Sequence, residues 1–171
     1  ASATLIEGRP GSGKTTLVWK LVHGWCSGSG RWAKRYNMVF ALVLRTLQEV
    51  PEYLNLQLPE LLCAACLQHN PGITPQMVAD ALLYQPDKVL VVLDGLDEYH
   101  WTLPAINALM EADDEKARTP FHMMLLSRPT TAKLEVIRSR ATQHFELAGL
   151  RSHHMQQFIA AYFERSLPPS A

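Results

Sequence analysis

The stretch Gly8-Arg9-Pro10-Gly11-Ser12-Gly13-Lys14-Thr15 decides the fold, because it fits the pattern G-x-x-x-x-G-K-[ST] and stands between a short apolar strand and a helical run. Thr4-Leu5-Ile6-Glu7 reads as a buried strand entering the loop, and Thr16-Leu17-Val18-Trp19-Lys20-Leu21-Val22 as a helix leaving it. Glycines at 8, 11 and 13 permit backbone conformations closed to other residues, so successive N–H groups converge on an anion. Pro10 stiffens the loop. Lys14 opens the helix, where unpaired N–H groups and the positive dipole end already favour an anion, and its ammonium reaches outer phosphates. Thr15 offers a hydroxyl to Mg²⁺. The candidate phosphate-binding set is therefore Gly8, Arg9, Pro10, Gly11, Ser12, Gly13, Lys14, Thr15 and Thr16, and a nucleoside triphosphate is the ligand it implies. A chance glycine-rich turn does not account for the flanking strand and helix.

Downstream, strand and helix signals alternate, as a parallel α/β sheet requires. Asn37-Met38-Val39-Phe40-Ala41-Leu42-Val43-Leu44 reads as a second strand buried on both faces. Helices are expected over 58–68 and 74–83, the second capped by Thr74 with Pro75 in its first position, and Asn70-Pro71-Gly72 separates them. Lys88-Val89-Leu90-Val91-Val92-Leu93-Asp94 is an apolar strand ending in a carboxylate. Ligands of open α/β sheets bind beyond the carboxyl ends of the strands, so Asp94 should emerge beside the glycine-rich loop and hold Mg²⁺ opposite Thr15. Taken alone, Asp94 is as well explained as a turn residue or helix cap.

Gly95-Leu96-Asp97-Glu98 follows, crowding acids into one loop. One acid as metal ligand and another as a water-orienting base relieves their repulsion; a solvated acidic loop is the plainer alternative. Phe121-His122-Met123-Met124-Leu125-Leu126-Ser127 is a further strand ending in Arg128-Pro129. From that edge Arg128 reaches a terminal phosphate and senses its presence, or merely closes the strand at the surface.

Composition narrows the class. With 171 residues, 47% hydrophobic and 19% charged, the chain suits one compact domain with a sizeable core. Sixteen basic and sixteen acidic residues leave no net charge to attract nucleic acid or an anionic membrane. No apolar run approaches the roughly 20 residues of a membrane helix, and no signal-peptide pattern opens the chain, so the expected location is cytoplasmic. Cys63 and Cys66 lie within an apolar helical stretch, which suits core packing better than redox or metal chemistry, since no second Cys or His pair stands at zinc spacing. Ala1 stands just before the first strand and the last helical stretch runs into Leu167-Pro168-Pro169-Ser170-Ala171, so the expectation is a single domain, 1–171, cut from a larger multidomain protein.

Together, the Gly-Arg-Pro-Gly-Ser-Gly-Lys-Thr-Thr loop, the Leu93-Asp94-Gly95-Leu96-Asp97-Glu98 box and the strand ending Ser127-Arg128-Pro129 resemble the nucleotide-binding core of NACHT domains. So does the closing strand Phe145-Glu146-Leu147-Ala148-Gly149-Leu150 with the helix over 155–163. These domains belong to the AAA-like branch of P-loop NTPases and occur in NOD-like innate immune receptors. The resemblance runs from Leu5 to Phe163, and its most specific part is the doubled acidic box after a glycine. It implies an α/β three-layer sandwich around a five-stranded parallel sheet of order 5-1-4-3-2, with the loop strand central and the sensor strand between it and the Asp94 strand. By position, Lys14 and Thr15 would bind phosphates and Mg²⁺, Asp94 the metal, Asp97 or Glu98 water, with Asp97 favoured by motif position. Arg128 would be the first sensor, and Arg45 matches a basic position of less defined role or is a surface residue.

The mechanism implied is a switch: ADP holds a closed monomer, ATP permits self-association through NACHT domains, and slow hydrolysis resets it. Helical and winged-helix segments that supply a histidine to the ADP pocket would follow Phe163, and His153 and His154 do not replace it. The absence of an Asn-Lys-x-Asp segment tilts the base toward adenine. Two other classes remain: a P-loop small-molecule or nucleotide kinase, which would need an acceptor pocket and a mobile lid carrying several arginines where the sequence offers only the close pair Arg138 and Arg140 after the sensor strand, and a nucleotide-bound scaffold that never hydrolyses.

Overall fold

The computed structural model describes residues 2–70, 72–111, 121–129 and 134–166. Pro71 of the expected inter-helix turn and the proline-rich end, 167–171, lie outside them. Strand β1 (Ala3–Glu7) feeds the glycine-rich loop and α1 (Lys14–Cys26), followed by α2 (Gly30–Arg35) and β2 (Met38–Val43). Then come α3 (Leu44–Leu47), α4 (Leu58–Cys66), α5 (Pro75–Tyr84), β3 (Val89–Asp94), α6 (Pro104–Glu111), β4 (His122–Ser127), α7 (Leu134–Arg140), β5 (Gln143–Glu146) and α8 (Ser152–Ser166).

The strands form one parallel sheet in the order β2-β3-β4-β1-β5, the expected 5-1-4-3-2 read from the other edge. The loop strand β1 is interior, and the middle place belongs to β4. Alternation along each strand divides the core in two. Leu5, Phe40, Leu42, Val91, Leu93 and Leu125 face a cluster completed by Leu61, Leu62, Val78, Ile106 and Ile137 from the helices after β2. Ile6, Leu90, Val92, Met124 and Leu126 face the opposite side, where Val18 and Leu21 of α1 cover them. Helices therefore cover both faces, which is why β3 is buried at every position.

β2 departs from its expected burial on both faces. It is an edge strand, deeply buried only at Phe40 and Leu42, because α1 half-covers its other face. Val39 and Ala41 there line a cavity of about 410 Å³ with Trp19, Trp25 and Cys66. The closing strand also differs: it spans Gln143–Glu146 and stops before Leu147. Its partner β1 ends at Glu7, opposite Glu146, so beyond Leu147 N–H, which donates to the Glu7 carbonyl at 2.7 Å, the ladder has nothing to pair with. The helices expected over 58–68 and 74–83 form as α4 and α5, and Thr74 Oγ1 caps α5 by accepting from Met77 N–H at 3.3 Å.

Candidate functional site

The sheet register brings the candidate residues to one edge. Glu7 pairs with Ser127 and Asp94 with Leu126, so the loop after β1, the carboxylate ending β3 and Arg128 after β4 leave the sheet at the same level. Gly8 N–H continues the ladder to the Ser127 carbonyl at 3.1 Å before the chain turns away. A methyl group at Gly8 would lie 2.4 Å from Ser12 Oγ and 3.1 Å from the Leu147 carbonyl, so a side chain there would displace Ser12 and crowd the backbone at Leu147. Gly13 adopts φ 95° as the residue before α1, a turn a side chain would strain, and it aims the first helical N–H groups into the loop.

Within this frame Lys14 Nζ donates to the Gly8 carbonyl at 2.6 Å and the Arg9 carbonyl at 3.2 Å. Ser12 Oγ is buried without a hydrogen-bond partner, an unsatisfied group that a phosphate oxygen would satisfy. Arg9, Pro10, Gly11 and Thr16 are exposed around the loop mouth. Thr15 Oγ1 donates to Asp94 Oδ2 at 2.7 Å, bringing a hydroxyl and a buried carboxylate together across the α1–β3 gap. Among the described residues no group of three His, Cys, Asp or Glu side chains forms a metal site. A divalent cation here would rest on these two oxygens plus phosphates and water, the usual habit of Mg²⁺. The loop and this pair fit a phosphate-bearing ligand with its cation.

The acidic box meets Arg128 next door. Gly95 takes φ 86° and starts a single 3₁₀ turn, Leu96–Glu98, pinned by buried Leu96. Arg128 N–H donates to Asp97 Oδ1 at 3.0 Å, its Nε lies 2.9 Å from Asp97 Oδ2, and its Nη2 donates to Glu98 Oε1 at 3.0 Å. Arg45 Nη1 stands 3.8 Å from Glu98 Oε2. Asp97 is largely enclosed, with 11% of its side chain exposed against 38% for Glu98. The structure thus gathers Asp97, Glu98, Arg128 and Arg45 into one charge cluster beside the Thr15–Asp94 pair. His153 and His154 lie on α8, ring to ring at 3.9 Å.

Sequence reasoning missed Glu7. It lies 3% exposed at the end of β1, and Arg138 grips it with two bonds, Nε to Oε2 at 3.1 Å and Nη2 to Oε1 at 2.6 Å. His144 Nε2 approaches Glu7 Oε2 at 2.5 Å. Burial alone would raise this carboxyl's pKa, but the Arg138 and His144 contacts outweigh it and hold the group below the usual carboxylate range. The available signal was a lone carboxylate closing an apolar strand, which demands a buried cation. Arg138 and Arg140 are accordingly no free lid pair: Arg138 is engaged on Glu7, and Arg140 Nη1 donates to the Met110 carbonyl at 2.8 Å. Cys63 and Cys66 pack against the core, and burial pushes the Cys66 thiol up to about 11.

The family model for the NACHT domain matches residues 2–166. The chain belongs to the NACHT family. Among curated relatives, this NACHT domain is 24% identical over 159 residues to mouse NACHT, LRR and PYD domains-containing protein 10, covering 93% of this chain and 22% of that protein. It is 29% identical to mouse NLR family CARD domain-containing protein 4, covering 94% of this chain and 15% of the relative. Bovine nucleotide-binding oligomerization domain-containing protein 2 is 35% identical over 101 residues, 59% of this chain and 9% of that protein. The chain thus spans a quarter or less of the curated relatives it matches. Among solved structures, Drosophila ORC bound to DNA superposes with a TM-score of 0.57 at 16% identity, over 95% of this NACHT domain and 42% of that chain. PCH-2 of C. elegans gives 0.53 at 16% identity, over 95% and 39%. These likenesses are of fold.

Proposed function

We propose that this NACHT domain is an ATP/ADP switch of a cytoplasmic NOD-like receptor in innate immunity, a slow Mg²⁺-dependent ATPase whose nucleotide state governs self-association of the full-length protein. The observation that carries the reading is the juxtaposition at one sheet edge of the Lys14 loop, with its unpartnered Ser12 Oγ, and the Thr15–Asp94 pair at 2.7 Å. Lys14 and the loop N–H groups would bind the phosphates, and Thr15 and Asp94 would hold the cation. Mg²⁺ supplies charge neutralisation across the outer phosphates. Arg128 would read the γ-phosphate, the only group by which ATP and ADP differ, and a ligand shifts a two-state equilibrium only by its differential affinity. Asp97 is largely enclosed and takes two contacts from Arg128, whereas Glu98, met by one Arg128 nitrogen and by Arg45, is the more exposed acid and would take the water-positioning role once Arg128 turns to the phosphate.

One observation favours a second reading. Arg128 occupies both acids, and with them engaged the domain would hold nucleotide without hydrolysing it, as a scaffold. Competition of ADP, ATP and GTP against a fluorescent nucleotide with Mg²⁺, on full-length wild type and Lys14→Ala, tests the binding reading: adenine-selective affinity that collapses in the variant is expected. A turnover assay with Glu98→Gln as control then separates the slow ATPase from the scaffold.

A further inference from the structure

Arg138 touches the roots of both loops that face the site. Its fork closes on Glu7, the residue immediately before Gly8, while Nη2 also donates to the carbonyl of Pro129, the residue immediately after Arg128, at 2.7 Å. A third bond, Nη1 to Glu135 Oε1 at 2.6 Å, ties the guanidinium back to its own helix. Helix α7 is anchored by buried Ile137, so the guanidinium is carried on a packed element. A buried carboxylate needs a cation, yet neutralising Glu7 asks for one contact, and the bond to Pro129 adds nothing to that task.

We propose that Arg138 is a positioning residue that couples the phosphate loop to the sensor loop. The β1–β4 ladder aligns the two chains as far as Glu7 and Ser127, and Gly8 N–H adds the last rung. Beyond that rung only side chains set how far Gly8 stands from Arg128, and a planar guanidinium with donors in a fixed fork is the side chain suited to holding two acceptors at a set spacing. A γ-phosphate bound between Lys14 and Arg128 depends on that spacing, whereas the α- and β-phosphates, held by the loop N–H groups, do not. The coupling therefore acts on ATP far more than on ADP. This inference rests on the switch reading above.

The test measures Kd for ADP and for ATP with Mg²⁺ on full-length wild type, Arg128→Ala, and the double variant Glu7→Gln/Arg138→Met. The double variant removes both charges in similar volume, so no buried charge is left unpaired, while the bond to Pro129 is gone. The expected result is an ADP-to-ATP Kd ratio shifted by about tenfold from wild type toward the Arg128→Ala value, the scale of one misaligned charge-assisted hydrogen bond, with ADP affinity nearly unchanged. A ratio equal to wild type overturns the proposal, as does a wild-type ratio already equal to that of Arg128→Ala. If the double variant does not fold by circular dichroism, Arg138→Met alone decides by the same ratio, because His144 Nε2 still faces Glu7 while the bond to Pro129 is gone. Wild type that binds neither nucleotide sinks the switch reading and this proposal with it; wild type that binds both with an unmoved variant ratio sinks the coupling alone.

Discussion

The glycine-rich loop and the cluster of acids with Arg128 lie side by side and are built in opposite ways. The loop is one continuous segment whose shape is a backbone property: glycines at positive φ, a Gly8 where a methyl group would crowd Ser12 and Leu147, and the first turn of α1. The cluster is assembled from three separate elements, the chain after β2, the turn after β3 and the end of β4, and its shape is a side-chain property held by partly exposed ion pairs. The first has its backbone frame set, with Ser12 Oγ left unsatisfied and Lys14 Nζ resting on loop carbonyls; in the second, Arg128 and the two acids satisfy one another. On the switch reading proposed above, a backbone frame that would take both nucleotides stands beside a reader that would have to be released, so affinity and discrimination would reside in different parts.

The sharpest way to break this contrast is Lys14→Ala. Removing a charged donor from this loop should raise Kd for ADP and ATP alike by roughly 10- to 100-fold, as the loss of a hydrogen bond to a charged group does, read by competition with a fluorescent nucleotide. Equal affinity in the variant would mean that the loop does not carry binding. Next in size is Gly13→Ala, which forces a side chain into φ 95°. It should lower the unfolding free energy by about 1–2 kcal/mol in urea denaturation, and an unchanged midpoint would show that the loop relaxes freely. Smaller still is Arg128→Ala. Arg128 is 44% exposed, and its ion pairs should contribute no more than about 1 kcal/mol. Raising ionic strength from about 0.1 M to about 1 M shortens the Debye length from about 10 Å to about 3 Å, so wild-type stability should move toward that of the variant, which itself should barely respond. A wild type indifferent to salt would contradict a cluster held by charge. The last prediction concerns reactivity alone. Cys66 lines the cavity that reaches Thr15 and Asp94, and burial lifts its thiol to about 11, so native protein at about pH 7.5, where such a thiol stays protonated, should take maleimide at exposed Cys26 and leave Cys66 unlabelled until it is unfolded. Early Cys66 labelling, read by peptide mass spectrometry, would mean that the cavity breathes.

Legibility followed the same division. The glycine-rich loop, the carboxylate ending β3 and the arginine ending β4 were readable because each is defined by neighbours along the chain: a glycine spacing, or a charged residue closing an apolar run. Their shared edge followed from the rule that open α/β sheets bind ligands beyond the carboxyl ends of their strands, whereas the strand order was implied only through the family resemblance, since pairing order depends on contacts between distant segments. The half-open face of β2 was misread as buried because an apolar run does not say whether its strand lies at the sheet's edge. The early end of β5 was likewise hidden, since a strand stops where its partner does.

Local chain chemistry alone therefore established the phosphate loop, the alternation of strands and helices and the candidate acids, because glycine φ freedom, apolar periodicity and helix capping act over a few residues. Tertiary structure alone decided that Arg128 rests on Asp97 and Glu98, and that Glu7 is answered by Arg138. Such pairings join residues from separate elements, and which cation meets a given carboxylate is set by where packing places each helix.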